Sequence, residues 1–368
     1  MYLEKLRLFN FKSYEALTLH LDAGINCFTG LNGVGKTNLL DAAYFLCLCK
    51  SHLGLQDKQL LRHGADFFRV EGVFAEGVRR VKIAATLQAG GRKAFLRDDA
   101  PISKLAEHIG AFPAVMAAPS DTSLITESAE ERRRLMDATL SQIAPEYLFE
   151  LSRYNALIKQ RNALLRQFGE QGRQDAQLLD ALDVQLPGPA SVIAAYRQQW
   201  VADMLPMAAD YYAEISGRRE HIELCYSPSC EASRFEEVLE ENRPRDLALQ
   251  RTSIGPHRDD IIMLMDGQAA RFFASQGQTK SFLLAIRLAQ YESIRKQTGK
   301  TPILLLDDIF DKLDERRMEA LIQLVKSRNM GQVLMTDTQT SRMEAILDRI
   351  TTEYRLYKLP FASDSATF

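Results

Sequence analysis

A chain of 368 residues, 46% hydrophobic and 26% charged, suffices for one large domain or two lobes around a full core. A formal net charge of −2 excludes a globally basic nucleic-acid binder and leaves any such surface to a local patch. Cys27, Cys47, Cys49, Cys225 and Cys230 are odd in number and lack zinc-ligand spacing, so they read as buried free thiols in a reducing compartment.

In chain order, residues 3–8 alternate apolar and polar as a strand does, with no apolar signal core and no small-residue cleavage site. No stretch is long and apolar enough to span a bilayer, and the expectation is a cytoplasmic protein with no membrane partner. A second strand, 24–29, runs into a glycine-rich loop, and a helix pattern follows from Thr37 to about Cys49. Residues 67–96 alternate between glycine turns as antiparallel hairpins do, and 113–117 is a short buried strand. Helical periodicity dominates 122–242, at 130–142, 145–168, 176–182 and 187–215, with a polar connection at 169–175 and no sustained heptad. After about Thr252 come a strand at 261–265, an amphipathic helix at 281–297 and a fully apolar strand at 301–306. A helix at 315–327, a strand at 332–335 and a last helix and strand end the chain. The expected class is α/β, with one lobe from residues 1–121 plus 252–368 and a mainly helical lobe, 122–251, inserted.

The glycine-rich loop is Gly30, Leu31, Asn32, Gly33, Val34, Gly35, Lys36, Thr37, a full match to G-x-x-x-x-G-K-[ST] between a strand and a helix. Gly33 and Gly35 let the backbone curl so that its N–H groups face phosphate oxygens, and the helix N-terminus adds partial positive charge. Lys36 neutralises the outer phosphates and Thr37 offers its hydroxyl to Mg²⁺; Asn38 joins them in the nucleotide-binding set, and the expected ligands are ATP and Mg²⁺. The apolar strand ends in Asp307 and Asp308. Asp307 reads as the Mg²⁺ ligand, and Asp308 as the group that orients or deprotonates the attacking water. Standing alone, such acids also begin ordinary turns.

Ser275-Gln276-Gly277-Gln278, ahead of a helix, resembles the S-G-G-Q signature of ABC-type ATPases, with Gln276 in place of the first glycine. Ser275 and the Gly277 backbone suit a γ-phosphate, with Gln278 completing the motif; an ordinary Ser-capped helix start is the plainer alternative. In that family the signature of one subunit meets the nucleotide of the other, which implies a two-fold homodimer holding two ATP molecules. Related ATPases usually carry Glu where Asp308 stands, and the shorter side chain favours slow turnover. Asp311-Lys-Leu-Asp314 stands at the D-loop position, and Met335-Thr336-Asp337-Thr338 at the switch position, where no His is present. Thr336 or Asp337 could contact a water there.

Four further segments narrow the resemblance. Asn10-Phe-Lys-Ser-Tyr14 resembles the N-terminal motif of chromosome-maintenance and RecF-like ATPases. Ala118-Pro-Ser-Asp121, Glu131-Arg-Arg-Arg-Leu-Met-Asp137 and Gly255-Pro-His-Arg-Asp-Asp260 look like segments of the RecF family. The resemblance covers essentially the whole chain. It implies an ABC/SMC-like P-loop ATPase head with an inserted helical lobe, binding double-stranded DNA and single/double-strand junctions with the recombination mediators RecR and RecO. From the residues alone, Arg132 to Arg134 equally suit a solvated helix face, and His257 a structural role. Three basic groups are candidate DNA contacts or solvated faces: Arg79, Arg80 and Lys82; Arg153, Lys159, Arg161 and Arg166; Arg218 and Arg219. Competing readings are a transporter's nucleotide-binding subunit and an ATP-binding clamp without turnover. The degenerate signature, the absent switch His and the helical insert argue against the transporter.

Overall fold

The computed structural model describes residues 1–127, 129–171, 175–217, 220–309, 315–351 and 353–360. Strands β1 (Tyr2–Phe11), β2 (Tyr14–His20) and β3 (Ile25–Thr29) open the chain, and α1 (Lys36–Leu48) follows the glycine loop. Next come β4 (Phe67–Glu76), β5 (Arg79–Gln88), β6 (Ala94–Arg97), β7 (Ala100–Pro101) and β8 (Ala114–Ala117). Helices then dominate: α2 (Ser123–Thr126), α3 (Ala129–Ile143), α4 (Pro145–Gln171), α5 (Ala176–Asp183) and α6 (Pro187–Ser216). Strand β9 (Ile222–Ser227), α7 (Phe235–Glu241) and α8 (Arg243–Leu249) precede β10 (Asp260–Met265), β11 (Gln268–Ala269) and α9 (Ala270–Phe273). The last elements are α10 (Gln276–Thr298), β12 (Ile303–Leu306), α11 (Glu315–Ser327), β13 (Val333–Asp337), α12 (Thr340–Ile350) and β14 (Tyr354–Lys358). Among the described residues no helix is long and apolar enough to cross a membrane.

The chain divides into two units: Met1–Thr122 with Asp210–Arg219 and Ser275–Phe368, and Ser123–Ala209 with Glu220–Ala274. In the first unit an antiparallel sheet runs β2-β1-β4-β5-β6-β7 and a parallel sheet runs β14-β3-β13-β12-β8. Helix α1 packs against β1, β4 and β5 of one sheet and β8, β12 and β13 of the other. Its residues Leu39 to Leu48 are therefore buried on every side, as a helix apolar all round must be. Helix α10 begins at Gln276 and is buried all round from Ser281 to Ile294, not amphipathic as its charged residues suggest. It packs on β8. Its Arg287 and Glu292 are spent on buried or shielded ion pairs with Asp121 and Arg295 instead of facing water.

In the second unit α3 packs on α4, α4 on α5 and α8, and β9 to β11 form a small antiparallel sheet. The boundary drawn at 252 falls differently here. Strand β9 pairs with β10 from Ile222 opposite Met265 to Ser227 opposite Asp260, and β10 packs on α3, which places residues 220–274 with the helices. Conversely, the end of α6 clusters with the first unit, where Tyr212 meets Phe282 edge-on at 5.9 Å and Glu214 pairs with Arg328 at 2.5 Å. Strand β9 and helices α7 and α8 were not legible as elements, because each is short and charge-interrupted. Of the cysteines, Cys27, Cys47 and Cys49 are buried as expected, but Cys225 is exposed on β9 and Cys230 partly so.

Candidate nucleotide site

Four parallel strands deliver their carboxyl ends to one edge: β3 into the glycine loop, β12 into Asp307, β13 into Asp337 and β8 into the Pro119–Thr122 turn. Open α/β sheets bind ligands at that edge. Strand β13 lies between β3 and β12, so the acidic strand is not the direct neighbour of the phosphate-loop strand. Thr336 on β13 spans the gap. Its hydroxyl donates to Asp307 Oδ1 at 2.9 Å and accepts from the Asp308 backbone N–H at 2.8 Å. Thr37 donates to the same Asp307 oxygen at 3.1 Å. The Thr336 hydroxyl is thus occupied by the acidic strand end, while Asp337 is held by Arg342 at 2.6 Å and by the Gln339 N–H at 2.6 Å.

Gly33 and Gly35 adopt φ of 85° and 103°, a region that strains any residue with a Cβ. A Cβ on Gly35 would also lie 2.7 Å from the Tyr14 hydroxyl oxygen. Tyr14 donates to the Gly35 carbonyl at 3.1 Å, and Asn38 Nδ2 donates to Ser13 Oγ at 2.8 Å. The Asn10–Tyr14 motif therefore braces the loop, a role its sequence did not announce. No side chain caps the start of α1; the N–H groups of Asn38 and Leu39 donate to the Gly35 carbonyl, and the helix N-terminus keeps the partial positive charge that suits an anion. Lys36 is buried, donating to the carbonyls of Gly30 at 2.8 Å and Leu31 at 3.2 Å. Its ammonium lies 3.6 Å from Asp308 Oδ2. Burial raises the Asp307 carboxyl above its ordinary value; Thr37 and Thr336 oppose that rise, and the charge of Asp308 adds to it. Asp308 itself holds a φ of 40°, costly for a residue with a Cβ and a form of strain that clusters at functional sites.

Ser275 is exposed as the N-cap of α10. Its hydroxyl accepts from the Gln278 N–H at 3.3 Å, and its own N–H donates to Gln278 Oε1 at 2.7 Å, a capping box. A Cβ on Gly277 would lie 2.7 Å from Arg317 Nη1, the far end of a flexible side chain that can move aside. The structure thus gathers the 30–37 loop, Asp307 and Asp308 into one site, and leaves Ser275 exposed at the start of α10, where it and Gln278 cap one another. The D-loop segment 311–314 lies outside the described residues.

The chain matches the RecF/RecN/SMC N-terminal domain family over residues 2–357. It is 43% identical to the DNA replication and repair protein RecF of Cytophaga hutchinsonii across 97% of this chain and 94% of that one. The chain belongs to the RecF family. The same protein of Porphyromonas gingivalis is 39% identical over 98% of each chain. Among solved structures, the recombination mediator protein RecF with ATP in the RecFOR pathway superposes with a TM-score of 0.85 at 28% identity, covering 92% of each chain. An Smc head bound to the C-terminal winged-helix domain of ScpA has a TM-score of 0.56 at 17% identity, a likeness of fold alone.

Two segments that resembled the RecF family turn out to hold the second unit together. Arg132 grips Asp260 with two bonds, at 2.6 and 3.0 Å, and Arg133 donates to the Asp259 carbonyl at 2.8 Å. Only Arg134 lies on a solvated face, paired with Glu130 and Glu131. Asp137 and Asp259 both meet buried Arg197, at 2.8 and 3.2 Å. His257 is structural: Nε2 donates to the Thr252 carbonyl at 3.1 Å and Nδ1 accepts from the Tyr154 hydroxyl at 2.8 Å. Burial drives its pKa from 6.5 down to about 4. The unfolded chain therefore takes up that proton first. Stability is expected to be full above about pH 6.5 and to fall as pH drops towards 4, by roughly 1.4 kcal/mol per unit of separation. Urea midpoints measured across that range check it; a His257→Gln chain that keeps the same slope would refute the assignment.

The basic groups fare unequally. Arg161 is fully buried, bound to Asp183 and Asp246 at 2.6 Å each, so it is not a DNA contact. Arg80 pairs with Glu4 at 2.7 Å and Lys82 with Asp99 at 2.8 Å. Arg153 sits 3.6 Å from Glu150, whereas Arg79, Lys159 and Arg166 stand exposed. Arg218 and Arg219 lie outside the described residues.

Proposed function

We propose that this chain is an ATP-dependent DNA-binding protein of recombinational repair and replication. ATP on each copy's phosphate loop closes two copies over duplex DNA or a single/double-strand junction, and slow DNA-stimulated hydrolysis reopens them. RecR and RecO are its partners in loading recombinase at gaps. The observation that carries this is the junction of Lys36, Thr37, Asp307, Asp308 and Thr336 at one sheet edge, in a chain that also exposes Ser275 at the start of α10. An anion suits the uncapped start of α1, and a cation suits the crowded pair Asp307 and Asp308. Mg²⁺ takes few protein oxygens when phosphates complete its shell, and Thr37 with Asp307 is such a pair. It would supply charge neutralisation on the outer phosphates. Lys36 would bind those phosphates, Asp308 would hold the attacking water, and Thr336 would keep both acids oriented.

The test is ATP hydrolysis by the full chain with and without duplex and gapped DNA. Turnover is expected to rise several-fold with DNA, and DNA affinity to fall steeply with salt, as phosphate contacts require. Turnover that ignores DNA, in a chain that binds no DNA at low salt, would refute the reading and favour an ABC-type subunit of another complex.

A further inference from the structure

The turn after β8 is not absorbed by the nucleotide chemistry. Its Asp121 is buried and carries an unusual load for one carboxylate. Arg287 of α10 donates to Asp121 Oδ2 through Nε at 3.1 Å and Nη2 at 2.8 Å. The Ala118 N–H donates to that same oxygen at 3.1 Å, and His52 Nε2 reaches Oδ1 at 3.0 Å. Burial alone would raise this carboxyl, but the Arg287 charge and the His52 contacts outweigh it and hold it down to about 2.

Each partner belongs to a different part of the ATPase site. The backbone N–H of His52 donates to Asp41 Oδ1 at 2.7 Å, and its ring packs edge-on to Tyr44 at 5.0 Å; Asp41 and Tyr44 are both on α1, the phosphate-loop helix. Asp41 is itself fully buried and pinned by Lys12 of the N-terminal motif at 2.5 Å. Arg287 stands on α10, the helix that Ser275 caps. The turn itself continues β8, whose Ala117 carbonyl accepts the Asp307 N–H at 2.8 Å. The carboxylate thus joins α10, through Arg287, to His52, which is itself bonded to α1, and the backbone of its own turn meets the acidic strand end. Buried ion pairs are seldom the cheapest way to stabilise a core, since apolar side chains of the same volume do as well or better. What they add is fixed geometry.

We propose that Asp121 is a positioning residue that sets the signature helix against the phosphate-loop helix, so that ATP on one copy aims that copy's Ser275 at the nucleotide of the second copy. This rests on the two-copy ATPase reading above. Asp121 touches no nucleotide, so its loss separates binding from closure. In the full-length Asp121→Asn chain, ATP affinity and KM stay within about twofold of native. ATP-driven dimerisation and kcat fall about tenfold, and the Hill coefficient for ATP drops towards one, as expected when a coupling of ordinary size is removed. Arg287→Lys keeps a cation over Asp121 and gives intermediate values; it carries the same readouts if Asp121→Asn does not fold. Native dimerisation, kcat and Hill coefficient in both variants overturn the proposal. So does a parallel fall of Tm, ATP affinity and dimerisation, which marks a merely structural ion pair. A native chain that binds ATP but never dimerises overturns the two-copy reading itself, and this proposal with it.

Discussion

Asp308→Asn is expected to leave ATP binding almost unchanged and to lower turnover by about 10²–10⁴-fold, the usual worth of a positioned general base. Asparagine keeps the size of the side chain and its bond to Thr336, so the strand end has no reason to move. The substitution also removes the carboxylate 3.6 Å from Lys36 and frees that ammonium for phosphate, so any change in affinity should be towards tighter binding. Single-turnover hydrolysis beside equilibrium ATP binding separates the two effects. Unchanged turnover would show that Asp308 does not handle the water, and would assign any hydrolysis to another group.

The second large effect concerns two variants and their mixture. Lys36→Ala removes the buried charge of the glycine-rich loop, and should weaken ATP binding about a hundredfold. Ser275→Ala should bind ATP as a single chain but lose turnover and ATP-driven dimerisation about a hundredfold, the cost of one missing oxyanion donor. Mixed in equal parts, half of the dimers combine one of each, and each such dimer keeps one intact composite site. Roughly a quarter of native activity should return. A mixture as inactive as either variant would mean that Ser275 serves its own chain, or only its helix. The capping box with Gln278 makes that second outcome a real competitor, because Ser275→Ala also removes a cap worth about 1 kcal/mol. Ser275→Asp separates them, since it keeps a cap while placing a negative charge against the γ-phosphate.

The nucleotide loop was readable because its signal is local. Eight residues contain the glycines, the lysine and the threonine, and the strand before and helix after them lie in the same thirty-residue stretch. The acidic strand end and the Ser275 cap are local in the same way. The buried arginines were not readable, because their partners lie far away in sequence: Arg132 is bound by Asp260, Arg197 by Asp137 and Asp259, and Arg161 by Asp183 and Asp246. Composition cannot distinguish such a buried arginine from one waiting for a phosphate. Helix α10 misled for the same reason, since Arg287 and Glu292 look like a solvent stripe until Asp121 and Arg295 are placed beside them.

The sequence by itself determined that this chain holds a glycine-rich loop between a strand and a helix, a pair of carboxylates at a strand end and a helix capped by Ser275. Backbone turns and helix starts are specified by neighbours within a few residues. Only the tertiary structure decided that β13 stands between β3 and β12, that Thr336 therefore ties Asp307 to Asp308, and that Asp121 joins Arg287 of α10 to His52. Strand order and buried ion pairing are settled by contacts between residues up to hundreds of positions apart, and no local pattern carries that information.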